Sequence, residues 1–319
     1  MVDLPFVPET KTTRLPLANL ETALGAKRRM NLPATITPFP WPKARDNQPR
    51  ALALNANGQL GLNNVAHGSS PVQIGSATDW NSISATTATC MAIKTNGTLW
   101  AWGRNSWGNL GTNDKVYRSS PTQVGGTWND FAIRKTIYGG QGIKDDGTLW
   151  SWGLNNVGQL GIGNTIYYSS PIQIGSLTNW KQISTGTTGM AALKTDGTIW
   201  TWGWNGKGAL GIGTTVISYT SPVQVGSLNN WKQVYSYSGT SGGVKIDNTL
   251  WMWGTNDKGQ LGNGTTITYS SPIQVGALTN WKQVSCGYST TYAIKTDGTL
   301  WAWGRNYNGG LGNGTTTDY

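Results

Sequence analysis

From Ser69 onward, short apolar runs alternate with polar punctuation, and the alternation itself repeats. Within one unit the segments PIQIG, WKQIS, MAALKT and TIWTWG are alternating, β-branched or aromatic, and each is bounded by Gly, Asn, Asp or Ser. The pattern predicts four short strands per unit. Between the last two stand Asn96-Gly97, Asp146-Gly147, Asp196-Gly197, Asp247-Asn248 and Asp297-Gly298, dipeptides that supply the positive φ angles of a two-residue hairpin. In that register Ile93 faces Trp100 and Met91 faces Trp102. Lys94 and Leu99 then point the other way, and the small Ala92 and Ala101 let a neighbouring unit's indoles pack close.

Three tryptophans mark each unit in register: Trp80/Trp100/Trp102, Trp128/Trp150/Trp152, Trp180/Trp200/Trp202, Trp231/Trp251/Trp253 and Trp281/Trp301/Trp303. A period of about 50 residues signals a stacked or circular array in which no unit buries its apolar face alone. The tryptophans are expected as core between units, each burying ~200 Å². At ~25 cal/mol/Å² that is about 5 kcal/mol gross per indole, an upper bound. Five whole units run from Ser69 to Tyr319, preceded by a degenerate half-unit in which Arg50 and Leu52 replace the tryptophan pair. The fold class is therefore all-β, a β-propeller of four-stranded blades at 50–319 with an extended N-terminal arm at 1–49. Five blades, six blades, or an open ring completed by a neighbouring subunit all fit the count.

The arm differs in kind. It carries most of the chain's 13 prolines and the basic cluster Lys27-Arg28-Arg29; one short helix over Asn19 to Arg29 and then an extended path are expected. The formal net charge is +10, but it forms no clustered stripe, which argues against a nucleic-acid partner. Cys90 and Cys286 occupy non-equivalent positions, so no disulfide framework or metal spacing is expected and both read as buried thiols. No export signal or membrane-spanning run is expected.

Chemistry-bearing residues are scarce. His67 is the only histidine, the repeats contain no glutamate, and most of their aspartates stand in hairpin turns. No phosphate-cradling loop, metal site or cofactor is expected, and no catalytic residue is assigned. A lysine recurs six residues before each paired tryptophan, at Lys94, Lys144, Lys194, Lys245 and Lys295. These read either as a circle of positive charge for a polyanion or as solvated strand ends. The loops after each tryptophan pair carry residues the repeat does not require: Trp107 and Trp204, with Tyr117, Tyr168, Tyr219, Tyr269 and Tyr319 nearby. Such aromatics suit protein or sugar contacts.

The phrase NWKQVSCGYSTTYAIKTDGTLWAWGRNYNGGLGNGTT, with SSPIQVG, resembles the regulator-of-chromosome-condensation repeat from Arg50 to Tyr319. The resemblance implies β-propeller blades. The family's best-known member is a nuclear guanine-nucleotide exchange factor that uses a projecting hairpin wedge; the unvarying spacing here leaves no insertion for one. The uniform copies look more similar to repeats of bacterial surface and phage virion proteins. The expectation is a non-enzymatic virion component, a capsid decoration or tail protein made in the host cytoplasm. Residues 1–49, with Lys27, Arg28, Arg29 and Trp41 as contacts, would anchor it to a capsid or tail subunit. Two alternatives stand beside it: an adhesin binding a glycan or host-surface ligand through its loops, and an intracellular soluble partner of chromatin or a small GTPase.

Overall fold

β-Branched and aromatic residues alternate with small polar ones in runs too short and too glycine-punctuated for helices, and they pair into antiparallel ladders. A computed structural model of the chain describes residues 55–133, 139–187 and 189–318, which fall within the unit Ala51–Tyr319. The arm at 1–49, its expected helix and the half-unit strand at 50–54 lie outside the described residues. β1 (Trp80–Ala85), β2 (Thr89–Lys94), β3 (Thr98–Gly103) and the first half of β4 (Arg118–Ile133) form the first blade of a β-propeller. The rest of β4 with β5 (Gly139–Lys144), β6 (Leu149–Gly153) and β7 (Tyr168–Gln173) forms the second. The third comprises β8 (Trp180–Thr185), β9 (Gly189–Lys194), β10 (Ile199–Trp204) and β11 (Ser218–Gln224). The fourth comprises β12 (Trp231–Tyr237), β13 (Thr240–Lys245), β14 (Leu250–Gly254) and β15 (Tyr269–Gln274). The fifth has three strands among the described residues: β16 (Trp281–Cys286), β17 (Thr290–Lys295) and β18 (Leu300–Gly304). The first strand of each later blade packs on the first two strands of the blade before it, as β12 does on β8 and β9.

The second hairpin of each blade corrects the expected register. Lys144 N–H donates to Thr148 O at 3.0 Å and Gly147 N–H to Lys144 O at 2.9 Å, so the turn holds three residues, with Gly147 at φ 76°. Ala92 therefore faces Trp100 and Cys90 faces Trp102, while Ile93 pairs with Leu99 and Met91 with Ala101. Lys94 shares the tryptophan face, and Ala92 and Ala101 lie on opposite faces. The turn carboxylate fixes this geometry: Asp146 Oδ1 accepts from Thr148 N–H at 2.9 Å and from its hydroxyl at 2.5 Å. That hydroxyl in turn accepts the Trp150 indole N–H at 2.7 Å.

The core lies between blades. Leu99, Ala101 and Val124 of the first blade pack with Trp128, Ile133 and Trp152 of the second, and the same two faces meet at the next three joints. Trp102, Trp152, Trp202 and Trp253 are almost completely buried. Each lies against a loop glycine, Gly61, Gly111, Gly161 or Gly211, on which a methyl group would collide with the indole. Each buried indole also crosses the joint. Trp102 donates to Gln59 O, Trp152 to Asn109 O, Trp202 to Gln159 O, Trp253 to Ala209 O and Trp303 to Gln260 O, all at 3.0–3.2 Å. A second set of bonds ties first strands together. Gln182 exchanges bonds of 3.2 Å with both Val234 N–H and Val234 O, and Gln233 accepts Val284 N–H at 3.3 Å. At the joint before these, the Asp130 carboxylate accepts Ile183 N–H.

Trp202→Phe keeps most of the ring but leaves Gln159 O, in a buried joint, with only the 3.5 Å bond from Gln141 Nε2, an expected loss of about 1–3 kcal/mol of unfolding free energy. Trp200→Phe, at a half-buried indole bonded to the Thr198 hydroxyl, is expected to lose less than about 1 kcal/mol of hydrogen-bond stabilisation. Urea titrations of the two variants decide this; equal losses would remove the cross-joint bond from its assigned role.

Candidate interaction site on the outer loops

After its third strand each blade leaves the sheet as Asn-x-x-Gly-x-Leu-Gly, except that the third blade's loop begins one residue after Trp204. The asparagines Asn105, Asn155, Asn205 and Asn256 are fully buried. Asn155 Oδ1 accepts Leu160 N–H at 2.8 Å, while its Nδ2 donates to Asn164 O at 2.8 Å and Ile166 O at 3.0 Å. One amide thereby pins both ends of the loop. Asn105 holds Val116 O at 3.1 Å, Asn256 holds Ile267 O at 2.9 Å, and Asn205 holds Ile217 O through its backbone N–H at 2.7 Å. Because these carbonyls turn inward, the side chains turn out: Val116, Ile166, Ile217 and Ile267 are 57%, 59%, 71% and 60% exposed. Successive blades carry them at equivalent positions, and stacking does not require them. Sequence reasoning passed over this row. Its signal was a Val or Ile recurring in a Thr- and Asn-rich loop with no alternating partner.

The aromatics singled out in the sequence divide into two groups. Trp107 is half-buried, edge-on to Tyr167 with centroids 5.4 Å apart. Tyr117 is exposed, its hydroxyl 2.6 Å from Ser106 Oγ, which also accepts Arg104 Nε–H at 2.9 Å. That Ser106 bond, helped by the Arg104 charge, holds the phenol below its ordinary pKa. Trp107, Tyr117 and Tyr167 thus flank the aliphatic row. Tyr168, Tyr219 and Tyr269 are half-buried in fourth strands, opposite Gly153, Gly203 and Gly254. Trp204 ends β10 with its ring against Gly206. Lys27, Arg28, Arg29 and Trp41 lie outside the described residues.

The recurring lysines are not solvated strand ends, and they do not present an open circle of charge. Lys144, Lys194, Lys245 and Lys295 place Nζ 3.5, 3.8, 3.5 and 3.6 Å from the centroids of Trp150, Trp200, Trp251 and Trp301. A second indole lies 4.9–5.4 Å away in each case. Lys194, Lys245 and Lys295 are buried, and burial pulls the Lys194 and Lys245 ammonium pKa values down. Lys94 Nζ lies 5.0 and 5.2 Å from the Trp80 and Trp100 centroids and also pairs with Asp79 at 3.1 Å.

The remaining reactive groups serve the scaffold. His67 accepts Asn55 N–H at Nδ1, 2.9 Å. Cys90 is half-buried rather than buried, with Sγ 3.3 Å from Gln59 O, and burial pushes its thiol up to about 11. Ser241 and Thr291 hold the equivalent place with hydroxyls on Ala209 O and Gln260 O. Cys286 is buried. Hydrogen bonds from the threonine two residues on hold Asp146, Asp196, Asp247 and Asp297 below the usual carboxylate range. Among the described residues no group of His, Cys, Asp or Glu could hold a metal ion, and no helix is long and apolar enough to cross a membrane.

The Regulator of chromosome condensation (RCC1) repeat model matches residues 96–140, 146–193, 196–239 and 247–294, and a second model of that repeat matches 180–209 and 281–309. No curated protein sequence matches the chain. Human WBSCR16 superposes with a TM-score of 0.72 at 21% identity, over 84% of this chain and 73% of that one. Yeast RCC1 (Prp20) bound to Kap60 gives 0.64 at 19% identity, over 72% of this chain and 57% of that one. Prp20p from Saccharomyces cerevisiae, described with its binding to Gsp1p and histones, gives 0.62 at 19% identity, over 72% and 59%. At these identities the likeness is one of fold.

The buried ammonium groups make alkaline stability a readout of the lysine sites. A lysine with a lowered folded-state pKa loses its proton before the unfolded chain does, so the unfolded state binds more protons in the window below 10.5. Stability is expected to rise with pH through that window, the burial penalty being fully present below it. In Lys194→Met/Lys245→Met the rise should shrink, as urea midpoints from neutral pH upward would record.

Proposed function

Because the chain belongs to the Regulator of chromosome condensation (RCC1) repeat family, we propose that it acts as a non-enzymatic binding propeller whose outer loops dock a protein partner. The observation that carries this reading is the exposed row Val116, Ile166, Ile217 and Ile267, held outward by buried asparagines. Aliphatic side chains that stacking does not use, flanked by Trp107, Tyr117 and Tyr167, match the apolar centre and aromatic surround of a protein interface. The yeast Prp20 propellers, described with Kap60, Gsp1p and histones, favour protein as the partner class.

The finer reading is a virion component anchored by residues 1–49. It rests on the uniformity of the units and on the proline-rich, basic composition of the arm. An exchange-factor-like role is the second reading, favoured by the Prp20 likeness in fold. It ranks lower because tryptophan pairs recur at intervals of 50 or 51 residues, which leaves no room for an inserted wedge.

Two variants separate the loop face from the arm. Ile166→Asp/Ile217→Asp should melt like the parent, both side chains being exposed, yet lose the partner that co-purifies with the intact chain. Removing residues 1–49 should leave the melting transition in place and abolish incorporation into particles. Incorporation that survives the deletion would sink the anchoring reading, and partner binding unaffected by the double substitution would sink the loop-face reading.

A further inference from the structure

The first tryptophan of each trio brings an indole N–H into a joint, and the blades differ in how they satisfy it. In the second blade Trp128 Nε1–H donates to Gly125 O at 3.1 Å. The connection from the fourth strand is there only Gly125-Gly126-Thr127. Before Trp180 it is Gly175-Ser176-Leu177-Thr178-Asn179, two residues longer, and the connections before Trp231 and Trp281 match that length. With the longer connection no carbonyl takes the bond. Trp180, Trp231 and Trp281 are 5%, 4% and 4% exposed, and the Nε1 atom of each is buried without a hydrogen-bond partner. Recurrence of one orphaned donor at three joints marks a place that the protein itself does not fill.

The residue before the tryptophan shows what is missing. Asp79, Asn179, Asn230 and Asn280 share one backbone position: their carbonyls accept N–H from Thr95, Thr195, Ile246 and Thr296 at 2.8–2.9 Å, in each case the residue after the recurring lysine. From that position the Asp79 carboxylate reaches Lys94 Nζ at 3.1 Å. Asparagine brings no charge in the later blades, and Oδ1 of Asn179, Asn230 and Asn280 is itself buried without a partner. Lys194, Lys245 and Lys295 are buried beside them, and among the described residues none of the three enters an ion pair. The hairpin carboxylates Asp196, Asp247 and Asp297 act on them only through space, being bonded to Thr198, Thr249 and Thr299.

We propose that the joints at Trp180, Trp231 and Trp281 each bind a small monovalent anion of the chloride kind, between the indole N–H and the lysine ammonium. The first two blades meet the same demands from within the chain, Asp79 supplying the charge in one and Gly125 O the acceptor in the other. A bound anion does both. The two rings take one side of the ammonium, Lys194 Nζ lying 3.8 Å from the Trp200 centroid and 4.9 Å from that of Trp180, and its three N–H bonds leave a donor for the other side. The asparagine carboxamide has nearly the same shape either way round, so a half-turn replaces the orphaned Oδ1 with Nδ2 and adds the amide to the donor set.

Size and charge select the occupant. A single-atom anion meets the ammonium without drawing it off the rings, which a phosphate would have to do. A cation is repelled. A water bridging Nε1 and Oδ1 would leave the buried ammonium without a counter-charge, at the spot where the first blade places a carboxylate.

Bromide, an anomalous scatterer, is the probe in crystals of the full chain, and chloride the probe in solution. Crystals grown in sodium bromide should show anomalous peaks beside Trp180, Trp231 and Trp281 and none beside Trp80 or Trp128. The chloride nuclear resonance should broaden when the protein is added. The melting midpoint should climb with the logarithm of chloride concentration, gluconate holding the ionic strength constant. In Asn179→Asp/Asn230→Asp/Asn280→Asp, which repeats the Asp79 arrangement at all three joints, the chloride dependence should be lost. Waters alone at the three joints, or bromide confined to exposed lysines such as Lys181, overturn the proposal. Bromide at the joints without chloride dependence in solution means binding at crystal concentration only and overturns it too, as does a folded triple variant that keeps the dependence. Should that variant fail to fold, the bromide crystals and the parent's chloride titration still decide.

Discussion

A hydrogen bond across each joint, from a buried indole N–H to a main-chain carbonyl 43 or 44 residues earlier, sets most of what the repeat may vary. The donor must be tryptophan, because no other apolar ring of that size carries a fixed N–H. The acceptor must sit one residue before the loop leucine, which binds the loop to the blade it leaves and the blade it meets. The loop glycine against the ring must stay bare, as Gly111 is beside Trp152 and Gly161 beside Trp202. Without the indole, Gln59 O, Ala209 O and Gln260 O would keep only the bond from Cys90, Ser241 or Thr291, and Gln159 O only the 3.5 Å bond from Gln141 Nε2, a loss the hydrophobic gain of the ring would have to offset.

Under that constraint the unit keeps its tryptophans, its Gly-x-Leu-Gly loop start and its buried asparagine, and little else in the loop is prescribed. The same asparagine that closes the loop also decides what reaches solvent. Holding Ile166 O inward through Asn155 Nδ2 forces the isoleucine side chain outward. The exposed row thus follows from the scaffold's geometry, while the choice of Val or Ile there does not. Threonine would satisfy the same carbonyl bond and be better solvated.

Blade boundaries were legible because indoles at a fixed period announce them, and the strands because alternation and turn residues agree. The hairpin register was not. Asn96-Gly97 suits a two-residue turn and equally the last two residues of a three-residue turn; what decides is the threonine that follows, whose N–H and hydroxyl bond the turn side chain. That one-residue difference moves Lys94 onto the tryptophan face and hides the lysines from a reading by sequence. The half-burial of Tyr168, Tyr219 and Tyr269 was equally hidden, since it depends on Gly153, Gly203 and Gly254 lying opposite across the ladder. The outward row escaped because exposure there is set by a bond to the backbone, which leaves no alternation to read.

The buried lysines bear on what the protein can attract. Two indole faces give an ammonium group attraction of about 2 kcal/mol or more when water is excluded, against a desolvation penalty of several kcal/mol. The two terms nearly cancel, so the lysines hold geometry more than they add stability. In the third blade Lys194 Nζ sits between Trp180 and Trp200, whose planes meet at 78° with centroids 6.5 Å apart, and that right angle sets how Trp180 enters the joint. A cation committed to two rings is poorly placed to meet a phosphate, because leaving them would open the packing. The net charge of +10 therefore overstates the pull of the propeller on polyanions, which is consistent with the proposed docking of a protein on the apolar row of the loops.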